Sequence, residues 1–505
     1  MLYRTSTYEK IIQFSYIKIK EYKHPLFSTL IIGLLTYLYS FTNKFINHDD
    51  VAFMFFHGEV ATDHGRWGLD ILNLFMPPYS MPWIYGILSI FIISIAICYI
   101  IHIFKIENKY FQVLLSGIII SFQSLVGMMS YMFLSYSYSL AFLFSVTAIY
   151  FIRKNNLKNY FYALILMVLS MSIYQAYISV TISLFLILLA QDLLVSEIKT
   201  KDIIKKGIKY VTFIIISSIV YYTITLTIFT LFDVHFNSYS NERLNSDWGL
   251  YPRIYWLIIN LISCLTSGTY GFVNTYLSKA IHYILIFSIS FFMIYTQIIS
   301  RNIKRTLLSF LILLLFPFAI NCIHIITPTG THSLTLLSFI SIYIFIVIII
   351  QTKFMHNKYK IYDITLILLS LLLINNVLIA NKNHLKQYLQ YESAHAFYTG
   401  VMSQIENTPG FNNNSKIALI GEASNLVYNF SDFKREDITG IWDEPVLNIH
   451  SRKNFIKYFI GFDLLYTSET ENELIQKTQD FKDMPSYPYY GSIKKIGNNI
   501  VVKFN

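Results

Sequence analysis

Charge is what this chain has least of. Only 13% of its 505 residues are Asp, Glu, Lys or Arg, where a soluble domain carries about a quarter. That excludes an ordinary soluble protein. The 54% hydrophobic content and mean hydropathy of +0.49 imply a polytopic membrane protein instead. Cysteine is nearly absent. Cys98, Cys264 and Cys322 each lie in an apolar stretch, and no pair has metal-ligand spacing. A disulfide framework and a zinc site are therefore excluded, and the three read as small buried side chains. A signal-peptide cleavage site is missing as well. The basic start (Arg4, Lys10, Lys18, Lys20, Lys23) leads into an apolar run near 26–46 with no A-x-A-like site after it. That run is expected to stay as a first span. There is no long repeat, and the spans hold almost no charge, which argues against a transporter with buried charges and two similar halves.

What charge there is has a pattern. The net charge of +10 invites a nucleic-acid reading. The basic residues sit in short loops between apolar runs, however, which is the positive-inside pattern and not a groove-binding patch. The runs fall near 26–46, 82–104, 111–129, 131–152, 160–173, 175–194, 210–232, 280–299, 307–326, 333–352 and 361–380. The stretch 160–194 is too long for one span and short for two at about 1.5 Å per residue. RKNNLKN (153–159), SEIKTKDIIKKGIK (196–209), RNIKR (301–305) and KFMHNKYK (353–360) are all basic. Placing them on the cytoplasmic side requires 160–194 to cross twice, turning at SIYQAY (172–177). Eleven spans result, with the N-terminus inside and the C-terminus outside. The apolar segment 254–273 breaks parity if it spans, so it reads as re-entrant or interfacial.

The tail is polar. KIALIGE (416–422) and DLLYTS (463–468) read as strands, and 384–406 and 472–481 as helices. GSIKKIGNNIVVKF (491–504) reads as a hairpin turning at Gly497-Asn498-Asn499. The expected architecture is a polytopic α-helical membrane domain over 1–380 with a small extracytoplasmic α/β domain over 381–505.

The first outer loop holds Asp49, Asp50, Glu59, Asp63 and Asp70 against Arg66. A carboxylate at the membrane boundary costs desolvation energy unless something compensates it. Two adjacent carboxylates repel, which suits a general base. The alternative is that Asp49 and Asp50 are solvated residues capping a helix over VAFMFFHGEV. GRWG (65–68) follows. Arg66 offers a planar fork for phosphate, and Trp67 a stacking face for a sugar.

The ordered set resembles the type II O-antigen glucosyltransferase (Gtr) family of bacterial membrane proteins. The residues that carry it are Asp49-Asp50, then Gly65-Arg66-Trp67, SMSIYQAY (170–177), YESAHAFYTGVMSQIENTPGF (391–411) leading into KIALIGE, and the closing MPSYPYYGSIKKIGNNIVVKF (484–504). The resemblance implies a GT-C-type fold and a glycosyltransferase in the bacterial cytoplasmic (inner) membrane. It implies a polyprenyl-phosphate sugar donor, typically undecaprenyl-phosphate glucose. It also implies a lipid-linked or polysaccharide acceptor outside the membrane, inversion at the sugar, and a catalytic Asp in the first outer loop. One of Asp49 and Asp50 would then be the base. Arg66 is the first choice for the leaving phosphate, with Arg253, Arg243 and Lys279 as alternatives. His332, in TPTGTHSL, stands where many relatives are expected to have arginine, and a neutral His does not replace a fixed charge. No Rossmann-type glycine fingerprint is present, in keeping with a lipid donor. An O-antigen polymerase and a flippase of lipid-linked sugars are the competing readings.

Several residues stay open between two roles. Tyr174 and Gln175 either bind sugar at the turn between spans or merely break a helix pair. His282 and His324 read as interior residues. Asp63 and His64 can help hold a divalent cation, but no strict ligand spacing supports it, and no bound metal or cofactor is expected. Trp442, Tyr487, Tyr489 and Tyr490 either bind acceptor polysaccharide or pack the tail.

Overall fold

The computed structural model describes residues 20–504 except 44–46, 56–60, 196, 238–239, 241, 243–247, 267–274, 300, 329–331, 355–359, 413 and 424–450. Arg243 and Trp442 lie outside the described residues. The described chain forms two compact units. One is helical and takes in the chain to Phe41 and His57–Asn381. The other takes in Thr42–Phe56 and the described chain from Lys382 onward.

In hydrocarbon each backbone N–H and C=O must find its partner inside the protein, so apolar runs become helices. Nine described helices are long and apolar enough to cross a membrane: Lys23–Thr42, Pro82–Phe104, Met132–Ile152, Gln175–Leu194, Thr200–Phe232, Tyr276–Ile299, Ile303–Ile320, Ser333–Lys353 and Ile361–Glu406. Lys109–Ile120 and Gln123–Ser130 form an apolar pair bent by 43° at a short break, the geometry of a broken span or a re-entrant loop. Leu157–Ile173 is shorter and fills the run at 160–173. The chain is thus a polytopic helical membrane protein. The helix Leu250–Thr266 overlaps the segment 254–273 read as re-entrant or interfacial. It buries Leu257, Asn260 and Cys264 and exposes Tyr251, Tyr255 and Ile262.

The stretch 160–194 is two helices. Tyr174 leaves the helix with φ −151° and ψ 103°, and Gln175–Tyr177 form a tight turn before the next span. The central helices are Met132–Ile152, Gln175–Leu194 and Ser333–Lys353, most of whose residues are enclosed. Several of their buried hydroxyls are satisfied locally. Ser135, Ser139 and Ser145 donate to the carbonyls of Met132, Ser135 and Phe142. Thr200–Phe232 and Tyr276–Ile299 are outer helices. They leave Ile219, Leu226, Phe287 and Phe291 uncovered, which suits lipid.

The second unit carries a four-stranded sheet in the order β2-β1-β4-β3, with β1 Lys416–Ile420, β2 Leu465–Tyr466, β3 Ile493–Ile496 and β4 Asn499–Lys503. β1 runs parallel to β2 and β4, and β3 pairs antiparallel with β4 through a turn at Gly497. Alternation along β1 splits the core. Ile417 and Leu419 pack with Tyr398, Val401, Phe455 and Ile500, while Ala418 and Ile420 pack with Ile475, Phe481 and Val501. The helix Glu469–Lys477 opens on a capping box between Ser468 and Glu471. Lys416 bonds Glu471 at 2.8 Å, and this holds the Glu471 carboxyl below its ordinary value.

Where a span ends inside the protein, an arginine takes over its carbonyls. Arg305 is buried and donates to the carbonyls of Ile198 (2.7 Å), Val195 (2.8 Å) and Leu193, just past and at the end of Gln175–Leu194. Its Nε donates to Gln297 at 3.4 Å. Arg305→Met strips these carbonyls of their donor. Thermal melting in detergent should register a loss of about 3 kcal/mol or more, since bonds to a charged donor contribute roughly 1.5–3 kcal/mol each. Arg305→Lys should recover only part of it, because an ammonium does not spread over several carbonyls.

Candidate active site

The acidic pair has its own helix. Asn47 caps it, accepting from the Asp49 N–H at 2.8 Å, and His48–Ala52 is helical. The cap is therefore Asn47, and Asp49 and Asp50 lie inside the first turn, where carboxylates meet the positive end of the backbone dipoles. Asp50 is buried. Asp49 is more open, with its Oδ1 3.1 Å from His48 Nε2. The two neighbours thus have different surroundings.

GRWG belongs to the helical unit, and both its glycines have a steric reason. A tight turn over Thr62–His64 ends at Gly65, whose φ is +72°. Only glycine takes that conformation without cost, and a Cβ there would lie 2.9 Å from the Tyr221 hydroxyl. Gly68 opens the helix Trp67–Asn73 against Leu157–Ile173, where a Cβ would lie 3.0 Å from the Ser172 carbonyl carbon. Arg66 and Trp67 are held between these two close approaches.

Arg66 is gripped from three sides. Its Nε donates to Gln175 Oε1 (3.3 Å), an Nη donates to the Tyr138 hydroxyl (3.1 Å), and the guanidinium lies 5.1 Å from the Tyr174 ring centre. Tyr174 stacks on Tyr138 at 4.5 Å. The Gln175 amide also donates to the His64 carbonyl (3.0 Å) and the Tyr221 hydroxyl (2.9 Å). Tyr221 in turn donates to the Gly65 carbonyl (2.8 Å). Gln175 therefore ties the loop, the arginine and two spans together. The structure brings Arg66, Tyr174 and Gln175 into one cluster.

The other candidates are elsewhere. Trp67 is buried and its indole N–H donates to Thr225 at 3.2 Å. It wedges between helices and does not present the open face that sugar stacking asks for. Arg253 donates to the carbonyls of Trp248, Ile325 and Ile326, and Lys279 to that of Thr266. Both serve to satisfy main-chain ends. His332 precedes the turn of helix at Ser333, and its carbonyl accepts from Thr335. His282 is an interior residue, bonded to Tyr343 and the Ser278 carbonyl. Asp63 and His64 turn to Asn237 and Ser240, at 3.0 Å and 2.6 Å. Among the described residues no three His, Cys, Asp or Glu side chains gather as metal ligands. In the second unit Tyr487 is buried, while Tyr489 and Tyr490 are exposed. Tyr138 and Tyr221 were not singled out from sequence. They are two of forty tyrosines, and no spacing marks them.

The family model for glucosyl transferase GtrII matches residues 38–351, more than half of the chain and the whole of this cluster. The chain belongs to that family. No curated protein and no solved structure matches it. Membership makes this membrane protein a glycosyltransferase of the glucosyl-transferring kind, and it sets the Arg66 cluster inside the matched region.

Gly68→Val pushes a side chain into the Ser172 backbone. It should lower the melting temperature of the purified protein by the equivalent of about 1–3 kcal/mol, the usual cost of overpacking. Ser172→Gly in the same chain should restore part of the loss. An unchanged melt would show that the two helices are not in this close contact.

Proposed function

We propose that this GtrII-family protein moves glucose from polyprenyl-phosphate to a lipid-linked or polysaccharide acceptor on the outer face of the bacterial cytoplasmic membrane. The observation that supports it best is the grip on Arg66. A guanidinium held by an amide, a hydroxyl and an aromatic face is fixed in orientation. Such a group suits the phosphate of a lipid donor. The neighbouring tyrosines and Gln175 suit sugar hydroxyls.

In this reading Asp49 or Asp50 takes the proton from the acceptor hydroxyl. The acceptor oxygen attacks the anomeric carbon from the face opposite the phosphate, and the bond from that carbon to the phosphate oxygen breaks with inversion. The electron pair leaves on the phosphate monoester, whose growing charge Arg66 stabilises. No metal is invoked. The basic loops near 153–159, 196–209, 301–305 and 353–360 support a cytoplasmic side for those ends, and so an outer side for the acidic pair.

The test compares surface-polysaccharide composition in host cells expressing wild type, Asp49→Asn, Asp50→Asn and Arg66→Gln at matched levels. The base variant should lose the side-branch glucose while chain length stays normal. Arg66→Gln should lower transfer about 10²-fold, the usual loss on removing one charge-stabilising donor. If both Asp variants keep the branch, the acidic pair is structural. If chain length collapses instead, the protein acts in polymerisation.

A further inference from the structure

The short helix that carries the acidic pair is built into the second unit. It has five residues, and so short a segment is not stable alone in water. Its stability must come from packing. Val51, directly after Asp50, is fully buried in the core that holds Tyr391, Tyr398 and Phe455. The Phe55 ring meets Tyr458 edge-on at 5.3 Å. Two carbonyls at the end of the helix are reached by one distant side chain, Asn454, whose amide donates to Val51 O (3.1 Å) and Ala52 O (3.0 Å). Helix ends leave carbonyls short of partners, and here a side chain some four hundred residues away in sequence adds a donor to two of them.

Asn454 is itself anchored. It sits in the helical turn Arg452–Phe455. Phe455 is buried in the same core, and Arg452 donates to the carbonyls of Leu419 (2.5 Å) and Gly421 (2.7 Å) at the end of β1. A continuous path therefore runs from the sheet through Arg452 and Asn454 to the backbone that follows Asp49 and Asp50.

We infer that the C-terminal unit positions the acidic pair for transfer, with Asn454 as the positioning residue and Val51 as the plug that seats the helix. This rests on the reading of the pair as the base. The tail then acts in the chemical step, and not only as a surface for polysaccharide. The carboxylates are set by contacts that a free loop would lack, and an error of about 1 Å in a reacting group can cost about 10²-fold in rate.

The experiment uses membranes with the full chain, labelled undecaprenyl-phosphate glucose as the donor, and the host polysaccharide as acceptor. Asn454→Asp keeps the shape but replaces the donating amide with a carboxylate that repels both carbonyls. It should lower kcat about 10²-fold and leave the donor KM within about two-fold, the signature of a lost transition-state arrangement. Hydrogen exchange over 47–55 should rise in the same variant, a readout independent of activity. If Asn454→Asp does not accumulate, Asn454→Ala removes both bonds without adding a charge and carries the same expectations. Wild-type kcat with unchanged exchange would overturn the inference. A raised donor KM at unchanged kcat would also overturn it, since that assigns the tail to donor binding. Asp49→Asn and Asp50→Asn run alongside. If both transfer normally, the base reading has failed. If one is inactive while Asn454→Asp is normal, only the positioning has failed.

Discussion

A backbone that enters lipid has to satisfy its own polar groups, and most of what is particular about this molecule follows from where it cannot do so alone. Unbroken apolar helices meet the constraint by themselves. The difficulty is concentrated where helices stop: at Tyr174, at the 43° bend after Ile120, and past Leu194. At the last two, a side chain steps in. Tyr37 donates to the Ile120 carbonyl, and Arg305 collects the carbonyls around Leu193–Ile198. The candidate site is made at one such break, because the interruption at 174–177 is what brings Gln175 to the GRWG loop.

This separates the arginines. Arg253, Arg305 and Arg452 all grip main-chain carbonyls. From sequence, Arg66 and Arg253 are both candidate phosphate ligands, Arg305 belongs to a basic loop, and Arg452 is not singled out. The structure distinguishes them by partner type. A carbonyl chelate closes a helix or strand end. A grip of amide, hydroxyl and ring orients a guanidinium within a side-chain cluster, and it does so at the loop whose two glycines leave no room for a side chain.

The spans were legible in sequence because hydropathy over about twenty residues is a strong local signal. The division of 160–194 into two helices was legible from the polar residues that interrupt it at 172–177. The tail's strands, its helix and its hairpin were legible from alternation and turn residues. Of the site, Arg66, Tyr174 and Gln175 were legible because two motifs broke otherwise apolar runs. Tyr138 and Tyr221 were hidden among forty tyrosines. Trp67 looked like a platform because exposure is not written in a motif. The attachment of 47–55 to the tail was not legible either. It depends on Asn454 and Phe455, and no local pattern links residues so far apart.

The same long-range attachment explains how a five-residue helix can hold two adjacent carboxylates. Their mutual repulsion and their desolvation both favour unwinding toward water. Against this stand one N-cap, two amide bonds at the far end, and a valine fully inside a core. Burying one valine stabilises by roughly 1.5–3 kcal/mol, and the cap and the two bonds add about 1 kcal/mol each. Contributions of that size hold a short segment only while the core that receives the valine is itself folded. Local order at Asp49 and Asp50 is therefore set by the folding of a domain made from the other end of the chain.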